Sequence, residues 1–159
     1  MANVDADRAI ELLNGLLQLE YTGLAQYTQH GFLVRGPERV VWAKWFQDEA
    51  EECLGHARLL GEKIVALGGV PTVERLSVQQ AATLEAMLAL DLDLERRAVS
   101  GYQEALDALS ADTALRVMLE NQVFEETTHV EELERILATG PSAVRAGAAP
   151  VRARARRAG

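Results

Sequence analysis

Apolar residues recur along most of this chain at intervals of three and four residues, which place them on one face of an α-helix. The first such segment carries its apolar stripe at Ile10, Leu13, Leu17 and Leu24. Proline, which interrupts helices, occurs at Pro37, Pro71, Pro141 and Pro150. Because no proline falls inside the long amphipathic segments, the pattern predicts long, uninterrupted helices.

Helix caps and breakers divide the chain into four predicted helices. We expect them over about residues 5–34, 37–67, 77–109 and 112–139, each ending before a glycine or a turn. The start of the third rests on Ser77-Val78-Gln79-Gln80, which has the spacing of a capping box. A short first connection, a long second one and a short third one predict an all-α four-helix bundle with one long crossover.

The composition agrees with a single globular domain. The chain has 159 residues, of which 48% are hydrophobic, and this is enough for one core. It shows neither a run of about 18 apolar residues nor a signal-peptide pattern, so we expect no membrane partner. Its one cysteine, Cys53, excludes an internal disulfide. These features predict a soluble protein in the reducing environment of the cytoplasm.

Charge is distributed unevenly within the net value of −8. Residues 141–159 contain five arginines and no acid, so all 24 Asp and Glu lie in residues 1–140. We expect residues 1–140 to form an acidic bundle suited to cations, and residues 141–159 to form an irregular, flexible basic tail. Arginines of this tail could contact nucleic acid, but we favour a solvated end without a partner. They are Arg152, Arg154, Arg156 and Arg157.

Two short motifs carry metal-binding chemistry. Glu126-Thr127-Thr128-His129 on the fourth predicted helix is a complete E-x-x-H, and Cys53-Leu54-Gly55-His56 on the second has the same spacing with Cys in place of Glu. Residues three apart lie about 60° apart on one helix face, so each pair can converge on one ion. A dinuclear carboxylate centre in a four-helix bundle also needs one Glu from each remaining helix.

Suitable acids occur on both remaining helices. Glu20 lies among leucines on the first helix, and Glu95 follows Leu88 and Leu92 on one stripe of the third. A carboxylate on an apolar face either binds a partner or is buried at high cost. Any one of these side chains alone would more readily be an ordinary core or surface residue. Their presence on all four helices predicts a shared metal site. The six candidate ligands are Glu20, Cys53, His56, Glu95, Glu126 and His129.

Longer stretches place these candidates in a recognisable register. The first helix runs from Leu13 through Glu20 and Gln26-Tyr27 to His30, and the second contains Asp48-Glu49 and His56-Ala57-Arg58. Further matches are Gly69-Val70-Pro71, Asp91-Leu92-Asp93-Leu94-Glu95 and Glu125-Glu126-Thr127-Thr128-His129. Over about residues 10–139 the chain closely resembles bacterioferritin, within the ferritin-like di-iron proteins.

The resemblance implies a ferritin-like bundle that oxidises Fe²⁺ with oxygen or peroxide at a dinuclear iron centre inside each subunit. It also implies storage of the ferric mineral in a homo-oligomeric shell, which has 24 subunits in bacterioferritins. By the same resemblance, Glu20 and His56 hold one iron, Glu95 and His129 hold the other, and Glu126 bridges them. The chain would then be a ferroxidase and an iron-storage subunit.

Cys53 departs from the family pattern, because it stands where the family has a second bridging carboxylate. A thiolate is a softer ligand that suits Zn²⁺ or a single iron. Glu52 or Glu49 could instead turn inward as a substitute carboxylate. In a third interpretation Cys53 is a small buried hydrophobic residue and the centre is impaired.

Two further positions carry implications from the resemblance. Tyr27 corresponds to a residue beside the iron pair that supplies an electron, so it is a candidate catalytic residue. Leu54 stands where haem-binding members have the methionine that ligates haem between subunits. Leu has no lone pair to offer iron, so we expect no haem.

Two alternative functions stay open at this point. The chain could be a catalytically impaired shell subunit of a mixed cage, in which another ferritin subunit supplies the oxidation. It could also be a DNA-binding, protective protein similar to mini-ferritins, acting through residues 141–159.

Overall fold

The computed structural model describes residues 5–138, and four α-helices carry the fold of this part of the chain. The helices are α1 (Ala6–Leu33), α2 (Arg39–Ala66), α3 (Leu84–Leu109) and α4 (Thr113–Leu137). No strand occurs in residues 5–138, so the predicted all-α four-helix bundle is confirmed. The predicted tail, residues 141–159, lies outside the described residues.

Local capping sets most of the helix ends near the predicted positions. The Asp5 side chain accepts a hydrogen bond from the Asp7 amide at 3.1 Å, and Asp112 accepts one from the Leu115 amide at 2.9 Å. Gly36 and Gly68 follow α1 and α2 with φ values of 102° and 87°, a region that glycine enters without strain. These signals are local, so they can be read directly from the sequence.

The predicted start of α3 near Ser77 is wrong. The helix begins at Leu84, and Thr83 caps it by accepting a hydrogen bond from the Ala86 amide at 3.2 Å. Side chains of α1 instead bind the backbone of the crossover, residues 67–83. In particular, the Leu76 amide donates to Thr22 Oγ1 at 2.9 Å and the Gln79 amide donates to Gln26 Oε1 at 3.1 Å. These tertiary hydrogen bonds hold the segment extended and override its capping-box pattern.

The core consists of two apolar clusters, one on each side of a polar layer. The first cluster contains Leu13, Leu17, Leu60, Leu109, Leu115 and Leu119 among its buried residues. The second contains Tyr27, Phe46, Met87, Leu88 and Leu133. Burial of each such side chain stabilises the fold by about 1.5–3 kcal/mol. Glu20, His56, Glu95 and Glu126, which are described below, are buried between the two clusters.

Within residues 5–138, none of the helices has a stretch both long and apolar enough to cross a membrane. α1 packs against both α2 and α3, and α3 packs against α4. The long crossover therefore connects two helical hairpins, and each hairpin contributes one histidine to the polar layer.

Candidate metal centre

Three carboxylates and a histidine are buried in the middle of the bundle, although each belongs to a different stretch of sequence. Glu20 on α1 is 4% exposed, Glu95 on α3 is 5% exposed, and Glu126 on α4 is 2% exposed. His56 on α2 is buried beside them, and His129 on α4 is half-buried. Groups of this kind are buried at high cost unless a partner balances their charge.

A first ligand group forms where α1, α2 and α4 meet. His56 Nδ1 lies 2.9 Å from Glu126 Oε1 and 3.4 Å from Glu20 Oε1. Yet neither His56 Nδ1 nor Glu126 Oε1 has a hydrogen-bond partner of acceptable geometry among residues 5–138. Buried polar atoms normally make hydrogen bonds, so two that face each other without hydrogen-bond geometry are placed to bind one cation together. This donor set of nitrogen and carboxylate oxygen suits iron.

A second ligand group lies on the α3 side of the first. Ligand atoms of Glu49, Glu95 and His129 all fall within 4.8 Å of one another, as do those of Glu20, His56 and Glu126. Glu126 contacts both groups, because its Oε1 faces His56 while its Oε2 lies 3.6 Å from His129 Nδ1. One carboxylate therefore spans the two groups, which is the arrangement that a bridged pair of metal ions requires.

Each histidine is oriented by an outer carboxylate on the opposite helix. His56 Nε2 lies 3.0 Å from Glu125 Oε2, and His129 Nε2 lies 3.2 Å from Glu52 Oε1. These contacts turn both Nδ1 atoms toward the centre, as carboxylates commonly do for metal-binding histidines. Glu125 was missed from the sequence as an orienting group. The sequence does contain a signal for this role, because Glu52 and Glu125 each precede the histidine of their own helix by four residues.

Two buried tyrosines hold the carboxylates contributed by α1 and α3. Tyr27 Oη donates a hydrogen bond to Glu95 Oε1, and Tyr102 Oη donates one to Glu20 Oε1 at 2.6 Å. Burial, reinforced by the neighbouring carboxylates, raises the pKa of both phenols well above the usual value. Both therefore stay protonated and act as donors. The role of Tyr102 was also missed, although it lies seven residues from Glu95 as Tyr27 does from Glu20.

The charges of the centre are strongly coupled. Burial lowers the pKa of His56, but contacts with Glu126 and Glu20 outweigh it and raise the value to about 11. In the same way, Glu126 and Glu95 raise the pKa of His129 to about 11. Burial raises the pKa of Glu95 to about 7 and that of Glu49 to about 7 as well. The site therefore holds excess negative charge and takes up protons at neutral pH, as a cation site does.

The Cys53 thiol lies beside the two ligand groups but belongs to neither. An ideal Cβ built on Gly23 of α1 would lie only 2.7 Å from Cys53 Sγ, so the sulfur occupies the space left by the missing side chain. Burial, with Glu20 and Glu95 as the next causes, raises the thiol pKa well above its usual value. In the absence of metal the thiol is therefore protonated.

The structure thus brings five of the six predicted ligands together, whereas Cys53 belongs to neither of the two ligand groups. It also adds Glu49, which had been considered from the sequence only as a substitute. Leu54, the position that bears on haem, lines a cavity of about 460 Å³ between α1 and α2. The metal-binding roles and the expected absence of haem stay predictions.

A buried polar network lies next to Tyr27 and supports the α3 side of the centre. Asp91 accepts a hydrogen bond from Gln26 Nε2 at 2.8 Å, and its other oxygen lies 2.9 Å from His30 Nδ1. His30 Nε2 in turn lies 3.2 Å from the Gln79 carbonyl oxygen. The network joins α1, α3 and the crossover, one helical turn from Glu95.

Comparison with known proteins gives matches along most of the chain. The family model described as "Ferritin-like domain" matches residues 10–143. The bacterioferritin of Rhodobacter capsulatus is 31% identical over 130 residues, which cover 80% of this chain and 81% of that protein.

Many solved structures share the fold, including proteins from Bacillus anthracis and Bacteroides fragilis. A ferritin-like, diiron-carboxylate protein from Bacillus anthracis superposes with a TM-score of 0.82 at 35% identity, covering 86% of this chain and 99% of that one. A bacterioferritin-related protein from Bacteroides fragilis, described as a dodecameric thioferritin, superposes with a TM-score of 0.77 at 26% identity. This match covers 84% of this chain and 86% of that one.

Proposed function

The chain belongs to the ferritin-like domain family and is a relative of the bacterioferritins, and from this premise we propose that it is an iron-storage ferroxidase. In this proposal it binds Fe²⁺ at the buried dinuclear centre, oxidises it with oxygen or peroxide and stores the ferric product in an oligomeric shell. The observation that carries the proposal is the contact of Glu126 with both histidines, through one oxygen each.

The donor groups divide between two iron positions. Glu20 and His56 would hold one Fe²⁺, Glu95 and His129 would hold the other, and Glu126 would bridge them. The unpartnered His56 Nδ1 and Glu126 Oε1 support this assignment, since a shared cation would satisfy both atoms. Tyr27 and Tyr102 keep the terminal carboxylates in place by hydrogen bonds, so little rearrangement is needed on binding.

Iron supplies the redox chemistry: two Fe²⁺ ions give up two electrons, which with two protons convert dioxygen to hydrogen peroxide or peroxide to two waters. The protein holds protons close to the reaction. His56 and His129 must lose a proton before their Nδ1 atoms can bind metal, and the outer Glu125 and Glu52 stay hydrogen-bonded to Nε2. Tyr27 donates a hydrogen bond to Glu95 Oε1, so if its phenol supplied a further electron to the oxygen or peroxide, its proton would pass to that carboxylate oxygen.

The test is aerobic Fe²⁺ oxidation by the purified metal-free protein, followed by absorbance, with iron per chain counted afterwards. We expect rapid oxidation and an iron content well above two ions per chain. Glu126→Gln should slow oxidation by at least about 10-fold, the lower end of what loss of a supporting group costs. Glu131→Gln, at an exposed position of the same helix, is the matched control and should oxidise iron at the parental rate. Equal rates in the two variants would refute the assigned centre.

We further propose that the chain forms a closed homo-oligomeric shell. Several large apolar side chains on α1 and α2 are exposed in the single subunit, including Phe32 at 72%, Val40 at 82% and Val41 at 69%. Exposed apolar residues of this kind commonly mark association surfaces. The sequence resemblance implied 24 subunits, whereas the Bacteroides fragilis neighbour is described as a dodecamer. Light scattering of the purified protein distinguishes the two masses, and a monomer would contradict the shell.

A further inference from the structure

We propose that Glu49 takes the place of the carboxylate that Cys53 lacks, so that α2 supplies its carboxylate ligand from one helical turn earlier. This inference rests on the proposed dinuclear centre and specifies one of its ligands. In this arrangement Glu49 binds only the metal held by Glu95 and His129, and Glu126 alone bridges the pair.

The geometry of α2 makes Glu49 available. It precedes Cys53 by four residues and therefore lies on the same face of the helix. A carboxylate oxygen of Glu49 lies within 4.8 Å of the ligand atoms of Glu95 and His129. The side chain is half-buried, unlike its neighbour Glu51, which is exposed. Glu52 does not compete for this place, since its carboxylate contacts the outer nitrogen of His129 at 3.2 Å.

Cys53 is occupied elsewhere. Its sulfur lies against Gly23 of α1, in the space that any larger residue at that position would fill. It also belongs to the apolar cluster that contains Tyr27 and Ala50. Gly23 and Cys53 are therefore complementary in size, and the thiol packs as a small hydrophobic side chain. This packing leaves the carboxylate position on α2 to be filled by another residue.

Charge balance favours the same ligand. Two divalent ions bring four positive charges into the bundle, and a buried charge is stable only when it is compensated. Glu20, Glu95 and Glu126 supply three negative charges, and Cys53, which packs against Gly23 and belongs to neither ligand group, supplies none. Adding Glu49 makes the centre neutral. Without it, the groups in direct contact with the two ions would carry one negative charge fewer than the ions carry positive charges.

The substitution makes the two positions unequal. The metal at Glu20 and His56 has two carboxylates, counting the shared Glu126, whereas the metal at Glu95 and His129 has three. We therefore expect two binding steps of different affinity, with the position at Glu49 filled first. A centre with a second bridging carboxylate would have more nearly equal positions.

The test uses Co²⁺, which binds to nitrogen and oxygen ligands without being oxidised by air on the time scale of a titration. The full chain is titrated with Co²⁺, and bound ions are counted by calorimetry and by visible absorbance. We expect two ions per chain in the parent and one in Glu49→Gln, with the tighter step lost. Glu51→Gln, the matched control on the same helix, should keep both ions, as should Cys53→Ser.

Three results separate the possibilities. Loss of an ion in Cys53→Ser, together with a thiolate charge-transfer band in the parent, would make sulfur the ligand and overturn the inference. Two tight ions in Glu49→Gln would overturn it as well. No Co²⁺ binding by the parent would instead refute the proposed metal centre, on which the inference depends. Circular dichroism of each variant verifies that it is folded before its ions are counted.

Discussion

Removing the hydroxyl of Tyr102 tests whether the centre is held in place before metal arrives. Tyr102 Oη donates a 2.6 Å hydrogen bond to Glu20 Oε1, and both residues are almost fully buried. Tyr102→Phe removes one oxygen atom, so it leaves no large cavity. It does leave a carboxylate oxygen of the almost fully buried Glu20 without its hydroxyl donor.

The expected cost can be estimated from these contacts. A hydrogen bond to a charged group stabilises a fold by about 1.5–3 kcal/mol, and an abandoned buried acceptor costs a similar amount. We therefore expect Tyr102→Phe to lower the free energy of unfolding of the metal-free protein by about 2 kcal/mol. For a chain of this size each kcal/mol corresponds to about 2–4 °C in melting temperature, so the midpoint should fall by about 4–8 °C.

The assay is urea unfolding of the metal-free protein followed by circular dichroism. The control is Tyr21→Phe, the same substitution at a half-buried tyrosine of α1 that packs beside the first cluster. It should change stability by less than about 0.5 kcal/mol. Equal stabilities of the two variants would refute the reasoning, because they would show that the bond to Glu20 contributes nothing before metal binds.

Three more predictions follow from the centre and its surroundings. The pKa values of both ligand histidines are raised to about 11, so metal must displace their protons and metal affinity should rise with pH. Calorimetry at neutral pH should therefore show proton release. Heats of binding that are identical in buffers of different ionisation enthalpy would contradict this. In thermal unfolding, Gly23→Ala should destabilise the protein by about 1–3 kcal/mol, because the added methyl group would collide with Cys53. The control Gly15→Ala, which has open space around it, should stabilise the protein by up to about 1 kcal/mol. Gln26→Leu removes the acceptor of the Gln79 amide, so that amide should exchange its hydrogen faster in solution; unchanged exchange would show that the crossover is held by other contacts.

The same raised histidine pKa values set the pH dependence of stability in the metal-free protein. In the folded state the histidines bind protons more tightly than in the unfolded state, where their pKa is about 6.5. Their contribution to stability is therefore complete below about pH 6.5 and is lost as the pH rises toward about 11. Bound metal removes this loss above about pH 6.5, since the histidines are then unprotonated in both states, and below that pH it makes stability rise with pH because only the unfolded histidines take up protons.

The helices and the family were accessible from the sequence because their signals are local. Apolar spacing, Asp5 and Asp112 as caps, and the glycines after α1 and α2 all act within one or two helical turns. The E-x-x-H spacing is local too, so Glu126 and His129 could be assigned to one face before the structure was known. Glu20 on α1 and Glu95 on α3 could be added to the candidate ligands, because an acid on an apolar helix face requires a partner.

Contacts between helices determined the features that local sequence patterns did not predict. The start of α3 depends on hydrogen bonds that Thr22 and Gln26 accept from backbone amides more than fifty residues away in sequence, and no local pattern encodes them. Where the Cys53 sulfur fits depends on Gly23 of another helix, and the proposal that α2 offers Glu49 to the centre rests on this packing. Sequence periodicity specifies the face on which a side chain lies, but distances between helices determine which atoms meet across that face.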